Sequence, residues 1–258
     1  MPANRALENL LRRYKNGQMS TGEAAEALEG LRLDRIGDLA QIDLGRDVRC
    51  GMPEVVLAEG KDPAHLATIA LRYAKSAGRC VVTRISRKQA APILATAKKQ
   101  KIASEYHEAG HILILSTSPA PAQDGGIVAI VTAGTSDIRV AEEARVIAEE
   151  MGCEVRTAYD VGAAGIHRLF PALRPLLGAH VFIVCAGREG TLPSVVAGLV
   201  DKPVIGVPVS VGYGYMGEGR AALASMLQSC SVLSVVNIDA GFTAGAFAAR
   251  IARMGAGQ

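Results

Sequence analysis

The sequence predicts an α/β protein. A doubly wound parallel sheet fills the C-terminal half, preceded by a smaller α/β or α+β domain with a helical N-terminal extension. Three observations predict it. The run IVAIVTA from Ile127 is apolar throughout and bounded by glycines, as a parallel strand covered on both faces must be. Four more apolar runs follow, alternating with helical segments across short connections, the pattern of parallel strands joined by crossover helices. Between the halves, STSPAPAQDG is rich in Pro, Ser, Ala and Gly and reads as a linker. The expected division is therefore an extension over 1–35, a small domain over 36–116, a linker over 117–126 and the larger domain over 127–258.

Bulk properties narrow the class. The chain has 258 residues, enough for one large or two modest domains. Apolar residues make up 49% and charged residues 21%, an ordinary globular balance. Aromatics reach only 4% and Trp is absent, so the cores must be built from Ala, Val, Leu and Ile. A net charge of +3 gives no argument for nucleic acid as a partner, yet leaves room for a small anionic substrate held by a few arginines. The charged N-terminus lacks the apolar stretch of a secretory signal, and no run nears the roughly 18 apolar residues that span a bilayer. The five cysteines, Cys50, Cys80, Cys153, Cys185 and Cys230, are scattered and form no CxxC pair. That argues against a disulfide framework or a zinc site and for a reducing compartment, the cytoplasm, with no membrane partner.

In chain order, Leu7, Leu10, Leu11 and Tyr14 share one face of a helix over 5–15. Ser20 stands three residues before Glu23, a capping box that opens a second helix through Leu28 and Leu31. A hairpin so polar reads as a solvated cover. Ile36, Leu39, Ile42 and Leu44 mark an irregular or strand segment, and EVVLAEG a short strand. Asp62-Pro63 is a cap followed by proline at the first helical position, and Gly78 ends that helix. CVVTRIS is the next strand. SRKQAAPILATAKK is a helix, with Pro92 at an early-turn or kink position, and KIASEYHEAG and HILILST are strands. Beyond the linker the reading is strand 127–133, helix 137–151, strand 153–159, helix 166–177, strand 179–185, helix 191–200, strand 203–207, helix 217–229, strand 232–237 and helix 241–253.

In such sheets ligands bind outside the carboxyl ends of the strands. Those ends hold Gly134-Thr135-Ser136-Asp137, then Tyr159-Asp160 with His167-Arg168 further on, then Gly187-Arg188-Glu189-Gly190. Ser210 follows the fourth strand and Asp239-Ala240-Gly241 the fifth. A small-residue turn running into a helix start aims backbone N–H groups at one spot, so Gly134 to Asp137 reads as a cradle for phosphate or carboxylate. Plainer explanations stand beside these: Gly134 and Gly187 as turn glycines, Asp137 and Asp239 as helix caps, His167 as surface. Glu189, in a loop between apolar segments, suits a carboxylate with a raised pKa and hence a general base. Cys153 and Cys185 fall inside strands and read as small buried hydrophobes. Cys230, at the close of a helix, reads the same way, because a helix C-terminus does not acidify a thiol. In the first domain Arg49 and Lys61 lie beside glycines and suit phosphate, against the simpler reading of a charged loop.

Together these motifs resemble a known family. AGTSD after the first strand, the His167-Arg168 pair and KPVIGVPVS resemble the sheet ends of class I aminoimidazole ribonucleotide carboxylases, the PurE family, which lack the N-terminal domain. The fuller resemblance is to the LarB family, which couples a PurE-like, flavodoxin-like three-layer domain to an N-terminal domain. VRCGMPEVVLAEGK, AGTSDIRVAEEA, DVGAAGIHRL, AGREGTLPSVVAGLVDKPVIGVPVSVGYG, and MLQSCS with VVNID carry it across most of residues 46–242. Two positions depart from the pattern: Ala240 where relatives have Asn before Gly241, and Arg188 where an apolar residue such as Met is expected.

The resemblance implies a chemistry. LarB proteins act in synthesis of the nickel-pincer nucleotide cofactor. They carboxylate the pyridinium ring of nicotinic acid adenine dinucleotide with CO2 or bicarbonate and hydrolyse its phosphoanhydride, giving pyridinium-3,5-biscarboxylic acid mononucleotide and AMP. The family's catalytic cysteine and glutamate fall on Cys230 and Glu189, which replaces the buried-hydrophobe reading of Cys230. Gly134, Thr135, Ser136, Asp137 and Gly187 are then expected around the ring carboxylate, ribose or phosphate. His167 and Arg168 are expected at CO2 or phosphate, Ser210 at a carboxylate, and Arg49 and Lys61 at the adenylate or diphosphate. Phosphoanhydride hydrolysis implies Mg2+ or another divalent metal, with Asp137 and Asp239 as candidate ligands. By analogy the chain is expected to form a homo-oligomer, an octamer being the analogous size. The alternatives are a PurE-like aminoimidazole ribonucleotide carboxylase or mutase, and a nucleotide-binding module without chemistry.

Overall fold

The structure, a computed structural model, describes residues 5–28, 33–212 and 214–257. It divides into two compact units, Met1–Pro119 and Ala120–Gln258, each with its own sheet and core. The first opens with a helical hairpin, α1 (Arg5–Lys15) and α2 (Thr21–Leu28), closed on Leu10, Ala24 and Ala27. The capping box forms: the Ser20 N–H donates to Glu23 at 2.7 Å and the Glu23 N–H to the Ser20 hydroxyl at 3.2 Å. Leu11 and Tyr14 are exposed. Leu31 lies outside the described residues.

An antiparallel pair follows, β1 (Leu33–Ile36) with β2 (Ala40–Asp43), then the short α3 (Arg46–Cys50). The body of this unit runs β3 (Val55–Leu57), α4 (Pro63–Ala77), β4 (Arg79–Thr83), α5 (Arg87–Lys99), β5 (Ala103–His107) and β6 (Ile112–Ser116). Its sheet order is β3-β4-β6-β5, with β3 parallel to β4 and the other pairs antiparallel. Leu66, Tyr73, Ile85, Ile93, Leu113 and Leu115 are among the residues that form the core between helices and sheet. α4 begins where its caps dictate: the Asp62 carboxylate accepts the Ala64 and His65 amides, and Pro63 needs no partner at the first position.

The second unit is a five-stranded parallel sheet. Its strands are β7 (Ile127–Thr132), β8 (Glu154–Ala158), β9 (Val181–Ala186), β10 (Val204–Pro208) and β11 (Ser234–Val235), in the order β11-β10-β9-β7-β8. Counted from its own first strand the order is 2-1-3-4-5, so the winding reverses between β7 and β9 and opens a crevice at their carboxyl ends. α7 (Leu169–Leu173), α8 (Leu192–Ala197) and α9 (Arg220–Leu227) share a core with Ala129, Val131, Phe182, Val184 and Val204. The alternate residues Val128, Ile130, Val181 and Ile183 are equally buried, which is why these strands read as unbroken apolar runs. α6 (Ile138–Glu150) and α10 (Gly241–Ala256) pack tightly together: a Cβ at Gly245 would stand 2.5 Å from the Ala144 carbonyl oxygen. No helix among the described residues is long and apolar enough to cross a membrane.

Three element boundaries differ from expectation, each for a local reason. The helix expected over 166–177 is a 3-10 turn at Ala163–Arg168, then α7, then a second 3-10 turn at Arg174–Leu176. Pro171 and Pro175 each remove an N–H, and Gly165 is non-helical. α9 starts at Arg220 rather than 217, because Glu218 and Gly219 have φ of 57° and 77°. The strand expected over 232–237 forms a ladder only at Ser234–Val235, on the sheet's edge. The stretch expected to link the domains is not uniform either. Its second half packs into the second unit, the Gly125 N–H donating to the Gly152 carbonyl at 2.7 Å and the Gln123 side chain to the Glu149 carbonyl at 3.2 Å.

Candidate active site

The carboxyl ends of the second sheet are tied to one another by aspartates. Asp137 is buried. One carboxylate oxygen accepts the Gly134 N–H at 2.8 Å and the other accepts the Gly187 N–H at 3.2 Å, so it staples the end of β7 to the end of β9 across the crevice. Burial pushes its pKa up from the ordinary aspartate value; the two amide bonds oppose that, and nearby Asp239 adds to it. Asp239 makes a second staple, accepting the Ser210 N–H at 2.9 Å and the Ser210 hydroxyl at 2.5 Å, with Arg139 of α6 at 3.5 Å. Neither aspartate caps the following helix with its side chain, so the capping explanation is corrected for both. A third tie joins β7 to β8: the Asp160 N–H donates to the buried Thr132 hydroxyl at 3.0 Å, and Arg168 pairs with Asp160 at 2.9 Å.

Glu189 sits in the turn after β9, where the Gly190 N–H donates to the Gly187 carbonyl at 2.9 Å. Arg188 takes a left-handed φ of 48°, unusual for a residue with a side chain, and turns the loop sharply away from the strand. Glu189 is exposed in this turn. Gly190 leaves no room beside α9: a Cβ there would stand 2.7 Å from the Ala222 Cα. Cys230 lies three residues past the end of α9 and is exposed, which corrects the reading of it as a buried hydrophobe. Its turn is pinned on both sides to Ser194 in the first turn of α8. The Ser194 and Ser229 hydroxyls are 2.8 Å apart, the Ser231 hydroxyl donates to the Ser194 carbonyl at 2.9 Å, and the Ser231 N–H donates to the Ser229 hydroxyl at 3.0 Å. Ser194 is five residues beyond Glu189, so this clamp holds the thiol turn against the helix that the Glu189 loop starts. No hydrogen bond joins Glu189 to Cys230 among the described residues.

The other thiols separate cleanly. Cys80, Cys153 and Cys185 are buried, and burial pushes each thiol pKa up, that of Cys153 to about 11. Thr135, Ser136, His167 and Arg168 are exposed around the crevice, Arg168 through its pair with Asp160. Arg49 and Lys61 belong to the first unit. Arg49 precedes β3 and is ion-paired with Asp43, whose pKa it lowers by hydrogen bonding; Lys61 follows β3 and is exposed. Asp137 and Asp239 do not fit a resident metal: their oxygens point at N–H, hydroxyl and guanidinium donors. No group of three or more His, Cys, Asp or Glu suited to a metal occurs among the described residues. The Ser194 clamp and the Thr132–Asp160 tie are the parts that sequence reasoning missed; serine and threonine at strand and helix ends carry no signal of their partner.

Comparison with known proteins matches both units. Residues 33–117 match the LarB/PurE-like N-terminal domain, and residues 127–257 match the AIR carboxylase family. An uncharacterized protein of Methanocaldococcus jannaschii is 41% identical over 254 residues, covering 96% of this chain and 97% of its own. Two relatives match only about half of the chain. A probable N5-carboxyaminoimidazole ribonucleotide mutase of Methanothermobacter thermautotrophicus is 33% identical over 134 residues, 50% of this chain and 38% of that protein. The N5-carboxyaminoimidazole ribonucleotide mutase of Methanocaldococcus jannaschii is 35% identical over 130 residues, 48% of this chain and 78% of that one.

Proposed function

Because the chain belongs to the LarB family, a PurE-like carboxylase domain behind a LarB-type N-terminal domain, we propose that it carboxylates the pyridinium ring of nicotinic acid adenine dinucleotide and hydrolyses the phosphoanhydride. The products are pyridinium-3,5-biscarboxylic acid mononucleotide and AMP, for nickel-pincer cofactor synthesis. One observation carries the reading above the others. Of the second unit's three cysteines only Cys230 is exposed, and its turn is clamped to the helix that follows Glu189.

The chemistry follows from the ring. A pyridinium is electron-poor and does not attack CO2. Glu189 takes the Cys230 proton, directly or through a water, as substrate closes the site and tightens contacts that are loose without it. The thiolate adds to the ring para to nitrogen, and the displaced electron pair moves to that nitrogen. The carbon beside the new C–S bond is now an enamine carbon and captures CO2. A base removes the ring proton there, the C–S bond breaks, and the thiolate leaves as aromaticity returns. The exposed Thr135 and Ser136 hydroxyls and His167 suit ribose, phosphate and carboxylate, while Asp137 and Ser210 shape the crevice through the bonds described. A divalent cation would arrive bound to the dinucleotide diphosphate rather than wait on Asp137 and Asp239.

Mass spectrometry of the protein incubated with NAD, whose ring resembles the substrate but carries an amide, tests the covalent step. A thioether at Cys230 is expected; turnover of the true substrate with Cys230 never modified would remove it. The mutase relatives support a second reading, action on an aminoimidazole ribonucleotide, but they match about half of the chain and leave the LarB-type N-terminal domain unexplained. Turnover of a carboxyaminoimidazole ribonucleotide, with none of the dinucleotide, would favour it.

A further inference from the structure

Between β10 and α9 the chain makes a glycine-rich strap whose feet are fixed. At its start the Val209 N–H donates to the Ala186 carbonyl at 3.1 Å, and the Val211 carbonyl oxygen lies 2.5 Å from where a Cβ on Gly187 would stand. At its end the Arg220 N–H donates to the Gly217 carbonyl and the Ala221 N–H to the Met216 carbonyl, both at 3.2 Å. The strap therefore rises directly beside the turn that carries Glu189, at the carboxyl end of the sheet where ligands bind.

Residues Gly214 to Glu218, with Arg220, surround an open recess of about 570 Å³. That is the size of a site for a nucleotide-sized ligand. Tyr215 is fully exposed beside it, and Met216 about half so. Among the described residues the Arg220 guanidinium pairs with Glu218, at 3.3 Å, in an ion pair that is exposed on both sides. Such a pair is weak, so its guanidinium readily exchanges a carboxylate for a phosphate, which it grips with two parallel N–H bonds. A free aromatic face next to a loosely held guanidinium matches a nucleobase joined to a phosphate.

α9 separates this recess from Cys230. Its eight residues rise about 12 Å, comparable to the separation of the two halves of an extended dinucleotide.

We propose that the Gly214–Arg220 strap is the subsite for the adenylate half of the substrate, with Tyr215 stacked on the base and Arg220 on the phosphate. This rests on the dinucleotide reading above. It locates that half in the second unit rather than at Arg49, which Asp43 already engages.

Calorimetric titration of the full chain with AMP, adenosine, nicotinic acid mononucleotide and nicotinic acid adenine dinucleotide tests it. Tyr215→Leu is expected to weaken AMP and the dinucleotide about tenfold and to leave the mononucleotide unchanged, while Tyr215→Phe keeps wild-type affinity. Arg220→Gln is expected to weaken AMP but not adenosine. Unchanged AMP and dinucleotide affinity in Tyr215→Leu overturns the assignment. So does an equal loss for the mononucleotide, or a shift of sedimentation coefficient that would mark the strap as a contact between copies. Should these outcomes occur while Cys230-dependent incorporation of labelled bicarbonate persists, only the subsite falls. Should that incorporation be absent as well, the functional reading falls with it.

Discussion

Asp137 shows how one buried side chain organises the crevice. Replacing it by Ala leaves the Gly134 and Gly187 N–H groups without their acceptor, at a cost of about 1–3 kcal/mol. The pH dependence has a definite sign. The pKa in the fold is raised above 3.8, so the folded chain holds that proton more tightly than the unfolded chain does. The stabilisation is full below the unfolded value and is lost as pH rises through the raised one. Urea melts of wild type and Asp137→Ala should therefore differ more near pH 3.5 than near pH 7; a gap that widens with pH would contradict this. Residue-level legibility was uneven. AGTSD marked the crevice, but not that its aspartate reaches across to Gly187, since a contact between positions 50 apart leaves no local pattern. Spacing alone reads Cys230 as inert and family resemblance singles it out; the structure leaves it exposed. The loop position of Glu189 between two apolar segments is legible in the sequence, whereas its exposure at the turn is not.

At the scale of elements, the work of positioning falls to contacts between helices. Ser194→Ala removes the hydroxyl bonded to Ser229 and loosens one side of the Cys230 turn. Since small misplacements of a reacting group are costly, kcat for carboxylation should fall about tenfold or more while KM changes little. Ser194→Thr should restore part of it; equal losses in a general stability assay and in KM would mark Ser194 as merely structural. α6 and α10 offer a separate test. Gly245→Ala gains about 1 kcal/mol of helix propensity, but its Cβ meets a backbone carbonyl that cannot swing aside. Overpacking of this kind costs about 1–3 kcal/mol, so the expected net effect is a lower Tm, read by thermal melting. The strands of the second sheet were legible because burial on both faces forces continuous apolar runs. The broken helix over 163–176 was not, because its apolar spacing is helical while Pro171 and Pro175 interrupt the bonding. Likewise β11 is shorter than its apolar run, since an edge strand has a partner on one side only.

For the whole molecule, the alternation of elements implied two units with a doubly wound second sheet, and the structure has both. What alternation does not reveal is which residues stay uncovered. Phe170, Leu177, Phe247 and Met254 are exposed on the second unit, apolar side chains that a further copy of the chain could cover. Sedimentation of the purified chain is therefore expected to give a homo-oligomer; a monomer at micromolar concentration would contradict that. The proposed function joins both activities in one polypeptide and makes carboxylation depend on one sulfur atom. It is tested by incubating wild type and Cys230→Ser with nicotinic acid adenine dinucleotide and isotopically labelled bicarbonate, then resolving the nucleotides by mass. Wild type should yield AMP and a labelled dicarboxylated mononucleotide, and Cys230→Ser no labelled product. Labelled dicarboxylate from Cys230→Ser, or none from wild type, would contradict the account.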